Sequence, residues 1–347
     1  MKGALDRRRL EKILDAFAKV RLLVVGDVVL DEYLWGEVDR VSPEAPVPVV
    51  HVRRESVVLG GAGNVVRNVV ALGGGCSFCS VVGDDTAARR VTEALEKLGV
   101  DVSGLVAEPG RPTTRKTRVI ARSQQVVRFD RETEAPIPAP AVRGLVAAVE
   151  RALGGVSGVI LEDYGKGALA PGVIAAAMRR FRARGVPVAV DPKSSLSPYR
   201  GASLVKPNLR EAEVLSGVAI RSEADLVKAA GRLRRRLGGA AVAVTRGGDG
   251  MTLFEGDCAV HVRTAEREVF DVQGAGDTTI AALWLARLAG ATLLESAVIA
   301  NAAAGVVVGK VGTATAAPDE VRALLPEAID AARAGMREAA APRRRRK

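Results

Sequence analysis

Asp271-Val272-Gln273-Gly274-Ala275-Gly276-Asp277-Thr278-Thr279 reads as a tight turn joining a strand that ends near Phe270 to a helix that begins near Asp277. Glycines at 274 and 276 let the backbone turn sharply and bare its amides. Those amides, with the positive end of the helix, make a site for a phosphate oxygen. An Asp beside them is placed to take a proton from an attacking hydroxyl while the amides stabilise charge growing on a transferred phosphoryl group. An Asp capping a helix is also a common arrangement. Taken alone, the stretch leaves both readings open.

Working outward, the same strand–turn–helix grammar repeats. Apolar runs at 21–25, 76–82, 158–161, 186–190, 204–206 and 241–244 read as buried strands, with helical patterns at 5–18, 64–72, 86–98, 173–184, 210–216, 223–237, 277–288 and 294–309. Alternation of this kind predicts an α/β fold, a mainly parallel sheet with helices on both faces and a ligand at the carboxyl ends of the strands. Two segments break the pattern. Residues 31–53 carry Trp35, Pro43, Pro46 and Pro48 among alternating polar and apolar residues, and 112–130 alternate again. Both read as exposed strands of a small β lid. A single folded body is expected over residues 1–335, followed by a basic, disordered tail over 336–347.

Of the 347 residues 48% are hydrophobic and 3% aromatic, so the core must be built from small and branched side chains, as suits helices packed closely on a parallel sheet. The net charge of +11 is partly terminal: residues 341–347 hold four arginines and a lysine. No aromatic interleaving or nucleic-acid-binding module accompanies the charge, so no nucleic-acid partner is expected. Cys76 and Cys79 form a C-x-x-C pattern, but on a strand residues three apart face opposite ways. They are expected to be small core side chains rather than a redox or zinc pair. The N-terminus lacks a secretory apolar core, and no apolar run reaches the ~18 residues of a membrane span. A cytoplasmic, reduced protein without a membrane partner is expected.

No G-x-x-x-x-G-K-[ST] loop occurs, and Gly60-Gly61-Ala62-Gly63-Asn64 lacks the third glycine of a dinucleotide fingerprint. That early glycine stretch, taken with Gly274-Ala275-Gly276-Asp277, resembles the paired signatures of the ribokinase (PfkB) family of carbohydrate kinases over about residues 20–320. The resemblance implies that Asp277 is the general base and that Gly274, Ala275 and Gly276 form the anion hole. It also implies that Asp27, Asp31, Gly60, Gly61 and Asn64 contact the sugar. Asn208-Leu209-Arg210-Glu211 is similar to the family's N-x-x-E motif, which implies that Asn208 orients phosphates and Glu211 holds Mg²⁺ through water. Thr245, Arg246, Gly247 and Asn301 resemble its ATP-binding segments. Lid closure over the sugar would exclude water as a competing acceptor, and the lid's exposed apolar strands suit a homodimer.

Residues 40–49, 122–130, 191–193 and 302–313 resemble more narrowly the D-glycero-β-D-manno-heptose 7-phosphate kinases, which phosphorylate C1 on the way to ADP-heptose and lipopolysaccharide. Gly63 stands where those kinases usually have Ala, Lys206 and Gln273 where they have Thr, and Glu162 where they have Ser. A sugar phosphate needs a cationic clamp; Lys116, Arg118, Arg122, Arg128 and Lys193 are the candidates. Bifunctional relatives add an adenylyltransferase domain with an H-x-G-H motif. Neither His51 nor His261 lies in one, so kinase activity alone is expected, with adenylylation done by another polypeptide. From a different class, a non-catalytic sugar-responsive binder on the same fold would not need the intact Asp277 and Glu211.

Overall fold

A computed structural model describes residues 5–122 and 124–340, the last four by backbone alone. In chain order the strands are β1 (Arg21–Gly26), β2 (Val28–Val41), β3 (Pro48–Gly61), β4 (Gly75–Val82), β5 (Leu105–Ala107), β6 (Arg115–Ala121), β7 (Gln124–Arg131), β8 (Gly158–Glu162), β9 (Val188–Asp191), β10 (Leu204–Val205), β11 (Ala241–Thr245), β12 (Met251–Glu255) and β13 (Cys258–Val262). The helices are α1 (Arg7–Asp15), α2 (Ala62–Ala71), α3 (Thr86–Lys97), α4 (Ala139–Ala152), α5 (Pro171–Ala183), α6 (Leu209–Ser216), α7 (Glu223–Leu237), α8 (Ala275–Leu288), α9 (Leu293–Val308) and α10 (Pro318–Ala340).

Nine strands form the main sheet in the order β13-β12-β11-β10-β9-β8-β1-β4-β5. Its body is parallel, and β11, β12 and β13 pair antiparallel at one edge. Both faces are covered, which is why its strands are apolar at consecutive positions. Leu22 and Val24 of β1 join the core beneath α2, α8, α9 and α10, while Leu23 and Val25 join the core beneath α4, α5 and α7. The same pleat separates Cys76, packed on the first core, from Cys79 in the second. Burial pushes both thiols up to about 12.

The lid is a second sheet, β3-β2-β6-β7, with β2–β3 and β6–β7 antiparallel and β2–β6 parallel. Its strands reach further inward than residues 31–53 suggested. β2 starts directly after Asp27, and β3 ends on Gly60 and Gly61, so the early glycine stretch is where the lid enters α2. Along β7 every residue is exposed, including Val126, Val127 and Phe129.

The region before the glycine turn differs from expectation. No strand ends at Phe270; the preceding strand is β13, and 263–274 run irregularly to α8. Phe270 is exposed and its amide donates to the Val308 carbonyl, a loop contact rather than a ladder bond. The β12–β13 hairpin, β5, α4 and α10 have no counterpart in the sequence reading. α10 continues to Ala340, past the expected start of the tail at 336, and residues 341–347 lie outside the described residues. Among the described residues no helix is long and apolar enough to cross a membrane.

Candidate active site

Gly274 caps α8 with a left-handed backbone (φ +76°), and a Cβ there would come within 2.5 Å of Asn64 Nδ2. Glycine is therefore required both by conformation and by the approach of Asn64. Two residues on, the amides of Gly276 and Asp277 occupy the first helical turn, where geometry supplies no carbonyl partner. They remain free to receive an anion at the positive end of the helix.

Asp277 is buried, with both carboxylate oxygens engaged. Asn64 donates to Oδ2 and the Tyr164 hydroxyl to Oδ1, each at 2.8 Å. Burial pushes its carboxyl up to about 6; the charge of Asp191 adds to the rise, while the two hydrogen bonds and Lys206 oppose it. A carboxylate held in this range is ionised at neutral pH yet basic enough to accept a proton from a hydroxyl.

Tyr164 is delivered by the loop after β8, and Asp27 shapes that loop. The Asp27 carboxylate accepts from the amides of Tyr164 (2.9 Å), Lys166 (3.0 Å) and Ala168 (2.8 Å). Its oxygens are thus committed to backbone, and burial raises its carboxyl despite them. Asp31, four residues on and within β2, is paired with Arg118 at 2.5 Å. A side chain on Gly60 would collide with Asp31 Oδ2, and one on Gly61, at φ +56°, with the Asp27 carbonyl. The two glycines make room for the two aspartates.

On the other side of Asp277 lies a cluster that the sequence showed only as two departures from a resembled pattern. Glu162 and Asp191 are paired in register at the ends of β8 and β9, and Lys206 follows Val205, the partner of Val190. The three side chains therefore come from adjacent strands at the carboxyl edge of the sheet. Lys206 Nζ stands 2.6 Å from Asp191, and a Cβ on Gly276 would lie 3.7 Å from the same nitrogen. Glu162 is buried with Oε2 lacking any partner. Burial, then the charges of Asp191 and Asp277, hold the Glu162 carboxyl well above its ordinary range. Burial alone would lower the Lys206 ammonium, but Asp191 and Glu162 outweigh it and raise it.

A cavity of about 450 Å³ opens over the glycine turn. It brings Asn208, Glu211, Thr245, Gly247 and Asn301 together with Gly274, Ala275, Gly276 and Asp277, and Tyr164, Lys193 and Lys206 complete its wall. Asn208 and Glu211 form a reciprocal capping box on α6, each bond 2.9 Å. Asn301 is held by the carbonyls of Val262 and Arg263. Arg246 does not line the cavity; its guanidinium turns to Glu223 (2.8 Å) and Thr252. Among the clamp candidates, Lys116 is bound to Asp130 and Glu132, Arg128 to Asp130, and Arg122 to the Val38 carbonyl. Lys193 alone of the five lines the cavity, and it has no carboxylate partner among the described residues. Tyr164 and Arg67 were missed from sequence, and Glu162 and Lys206 were visible there only as departures from the resembled pattern.

The family model described as "pfkB family carbohydrate kinase" matches residues 19–320. The chain is 46% identical over 319 residues to the bifunctional protein HldE of Pelobacter propionicus, covering 91% of this chain and 65% of that one. It is 47% identical to the HldE of Citrifermentans bemidjiense, covering 91% of this chain and 66% of the relative. It thus spans just under two thirds of the length of these curated relatives. Among solved structures, Arabidopsis thaliana ribokinase complexed with ribose and ATP superposes with a TM-score of 0.69 at 21% identity, over 88% of this chain and 98% of that one. Escherichia coli phosphofructokinase-2 in complex with potassium gives 0.74 at 20% identity, over 89% and 99%. These two share the fold.

Proposed function

The chain belongs to the pfkB family of carbohydrate kinases, and on that premise we propose that it transfers the γ-phosphoryl group of ATP to C1 of D-glycero-β-D-manno-heptose 7-phosphate. The observation that carries the reaction is Asp277, a buried carboxylate clasped by Asn64 and Tyr164 beside open helix-turn amides. Asp277 takes the proton of the sugar hydroxyl as that oxygen bonds to the γ-phosphorus. The bond from phosphorus to the β–γ bridging oxygen breaks, ADP leaves, and the amides of Gly276 and Asp277 face the charge on the transferred group.

Glu211 and Asn208 face the same cavity as the glycine turn, a donor set of one carboxylate and one amide that fits hydrated Mg²⁺. Because Mg²⁺ keeps much of its hydration shell, the ion would reach Glu211 through water. When bound it would offset charge on the ATP phosphates. Asn301, Thr245 and Gly247 line the nucleotide side.

The heptose reading is supported by the resemblance of residues 40–49 and 122–130 and by the relatives' coverage of 91% of the chain. Asp31 and Asn64 face the sugar, and Lys193 is the available clamp for its 7-phosphate. The exposed apolar residues of β7 support a homodimer formed through the lid; a monomeric mass in sedimentation at micromolar concentration would sink it. The decisive test is ADP release with Mg·ATP and the heptose 7-phosphate beside ribose and fructose 1-phosphate. Strong preference for the heptose is expected, and turnover only with another sugar would transfer the assignment to that sugar.

A further inference from the structure

Arg67 is a half-buried arginine on α2 that has no carboxylate at ion-pairing distance among the described residues. Its Nη1 donates to Asn64 Oδ1 at 3.0 Å and to the Thr313 carbonyl at 3.1 Å. Asn68 adds a longer bond to the same Asn64 oxygen (3.4 Å), and Thr278 Oγ1 of α8 in turn holds Asn68 (2.9 Å). With its oxygen occupied from α2, the Asn64 amide can present only its NH₂ to Asp277. Thr313 lies in the segment joining α9 to α10, and its Cγ2 would be 3.1 Å from a Cβ on Gly274. One guanidinium therefore spans the mouth of the glycine turn, from the sugar-side helix to the segment after α9.

We propose that Arg67 is a positioning residue for phosphoryl transfer: it fixes the Asn64 amide against Asp277 and ties that orientation to the segment carrying Thr313. The proposal rests on the reading of Asp277 as the base. Charged and titratable groups facing Arg67 are Tyr33 and Asp31 from β2 and Asp277 from α8. Its positive charge stabilises ionised Asp277, and burial is what lowers its own affinity for a proton.

The test compares Arg67→Met, Arg67→Lys, Asn64→Ala and the Arg67→Met/Asn64→Ala double variant, using Mg·ATP and D-glycero-β-D-manno-heptose 7-phosphate. Arg67→Met is expected to lower kcat roughly 10²-fold, the scale of a small misplacement of a reacting group, with KM for both substrates nearly unchanged. The double variant should be no slower than Asn64→Ala alone. Arg67→Lys should recover part of kcat and leave the acidic limb of the pH profile in place, whereas Arg67→Met should move it to higher pH. A raised KM with unchanged kcat, or additive losses in the double variant, would overturn the proposal.

A readout free of turnover separates this from failure of the base assignment. Chemical denaturation across pH should show the Asp277-dependent loss of stability extending to higher pH in Arg67→Met. That extension should vanish when Asp277→Asn is added. An unmoved stability profile in Arg67→Met would refute the proposal even if Asp277 is the base. Full turnover in Asp277→Asn itself would instead refute the base.

Discussion

Lys206 holds Asp191 at 2.6 Å beneath the glycine turn, and both side chains are shielded from solvent. With Glu162 and Asp277 the neighbourhood contains three carboxyls and one ammonium, so the lysine is the local counter-charge for the carboxyl edge of the sheet. Removing one partner of a buried ion pair typically costs about 3–5 kcal/mol. Lys206→Thr is expected to destabilise by about that much, measured by urea unfolding. Adding Glu162→Ser removes one of the uncompensated acids and should restore a substantial part. Additive effects in this double-mutant cycle would show that the two residues are not coupled.

Asp277 should set the acidic limb of activity. Its carboxyl is pushed to about 6 by burial, and only the ionised form accepts the hydroxyl proton. kcat/KM is therefore expected to fall about tenfold per pH unit below roughly pH 6. A limb near the ordinary value of free aspartate would contradict the geometry.

Asp277→Asn is expected to lose about 10²–10⁴ in turnover and to gain stability. The folded carboxyl lies above its unfolded value of 3.8, so the folded state binds more protons between about pH 4 and 6 and stability falls as pH rises through that window. Above it the wild type carries a penalty of up to about 3 kcal/mol. The asparagine removes the charge but leaves one of the donors Asn64 and Tyr164 mismatched, so about 1–2 kcal/mol should remain as net gain at pH 8. Unfolding curves at pH 8 and pH 4 check the sign: the gain should shrink at pH 4.

Tyr164→Phe removes the donor to Asp277 Oδ1 without disturbing the loop that Asp27 holds. Hydrogen bonds to a charged group contribute about 1.5–3 kcal/mol. The loss should raise the Asp277 carboxyl further, move the acidic limb upward, and lower kcat roughly tenfold or more at neutral pH. An unmoved limb would detach Tyr164 from the base.

Lys193→Ala should raise KM for a sugar phosphate by roughly 10–100-fold, the scale of a charge-assisted hydrogen bond. KM for ATP and kcat should change little. A rise in KM for ATP instead would reassign Lys193 to the nucleotide side of the cavity.

Much of this was legible from sequence because it depends on local chemistry. The glycine turn, the strand–helix alternation and the N-x-x-E stretch of Asn208 and Glu211 are contiguous patterns readable from a few residues. Cys76 and Cys79 could be separated by pleat alone. What stayed hidden depends on strands far apart in sequence becoming neighbours. Glu162, Asp191 and Lys206 meet only through the order β8-β9-β10. Arg67 meets Thr313 across 246 positions, and Tyr164 reaches Asp277 from a loop without a motif of its own. Asp27 was expected to contact the sugar; its three backbone partners, which give it the work of shaping a loop, were not legible. The expected strand at Phe270 fails because Val269, Phe270 and Val272 are exposed side chains of a loop; hydrophobicity there suggested burial in a sheet.

The unbroken course of β2 and β3 has a mechanical consequence. The ribbon runs from Asp31 and Gly60 at its inner end to its outer tip, and β3 continues directly into α2, which carries Asn64 and Arg67. Its register shifts fall outward of the site, between Trp35 and Gly36 and between Val38 and Arg40. At such irregularities a strand kinks and its twist increases. The outer half is thereby turned relative to the inner half, whose register runs uninterrupted from Val28 against Gly61 to Trp35 against Arg54, so the ribbon can change direction at its tip without shifting the offset of Asp31 and Gly60 from the start of α2.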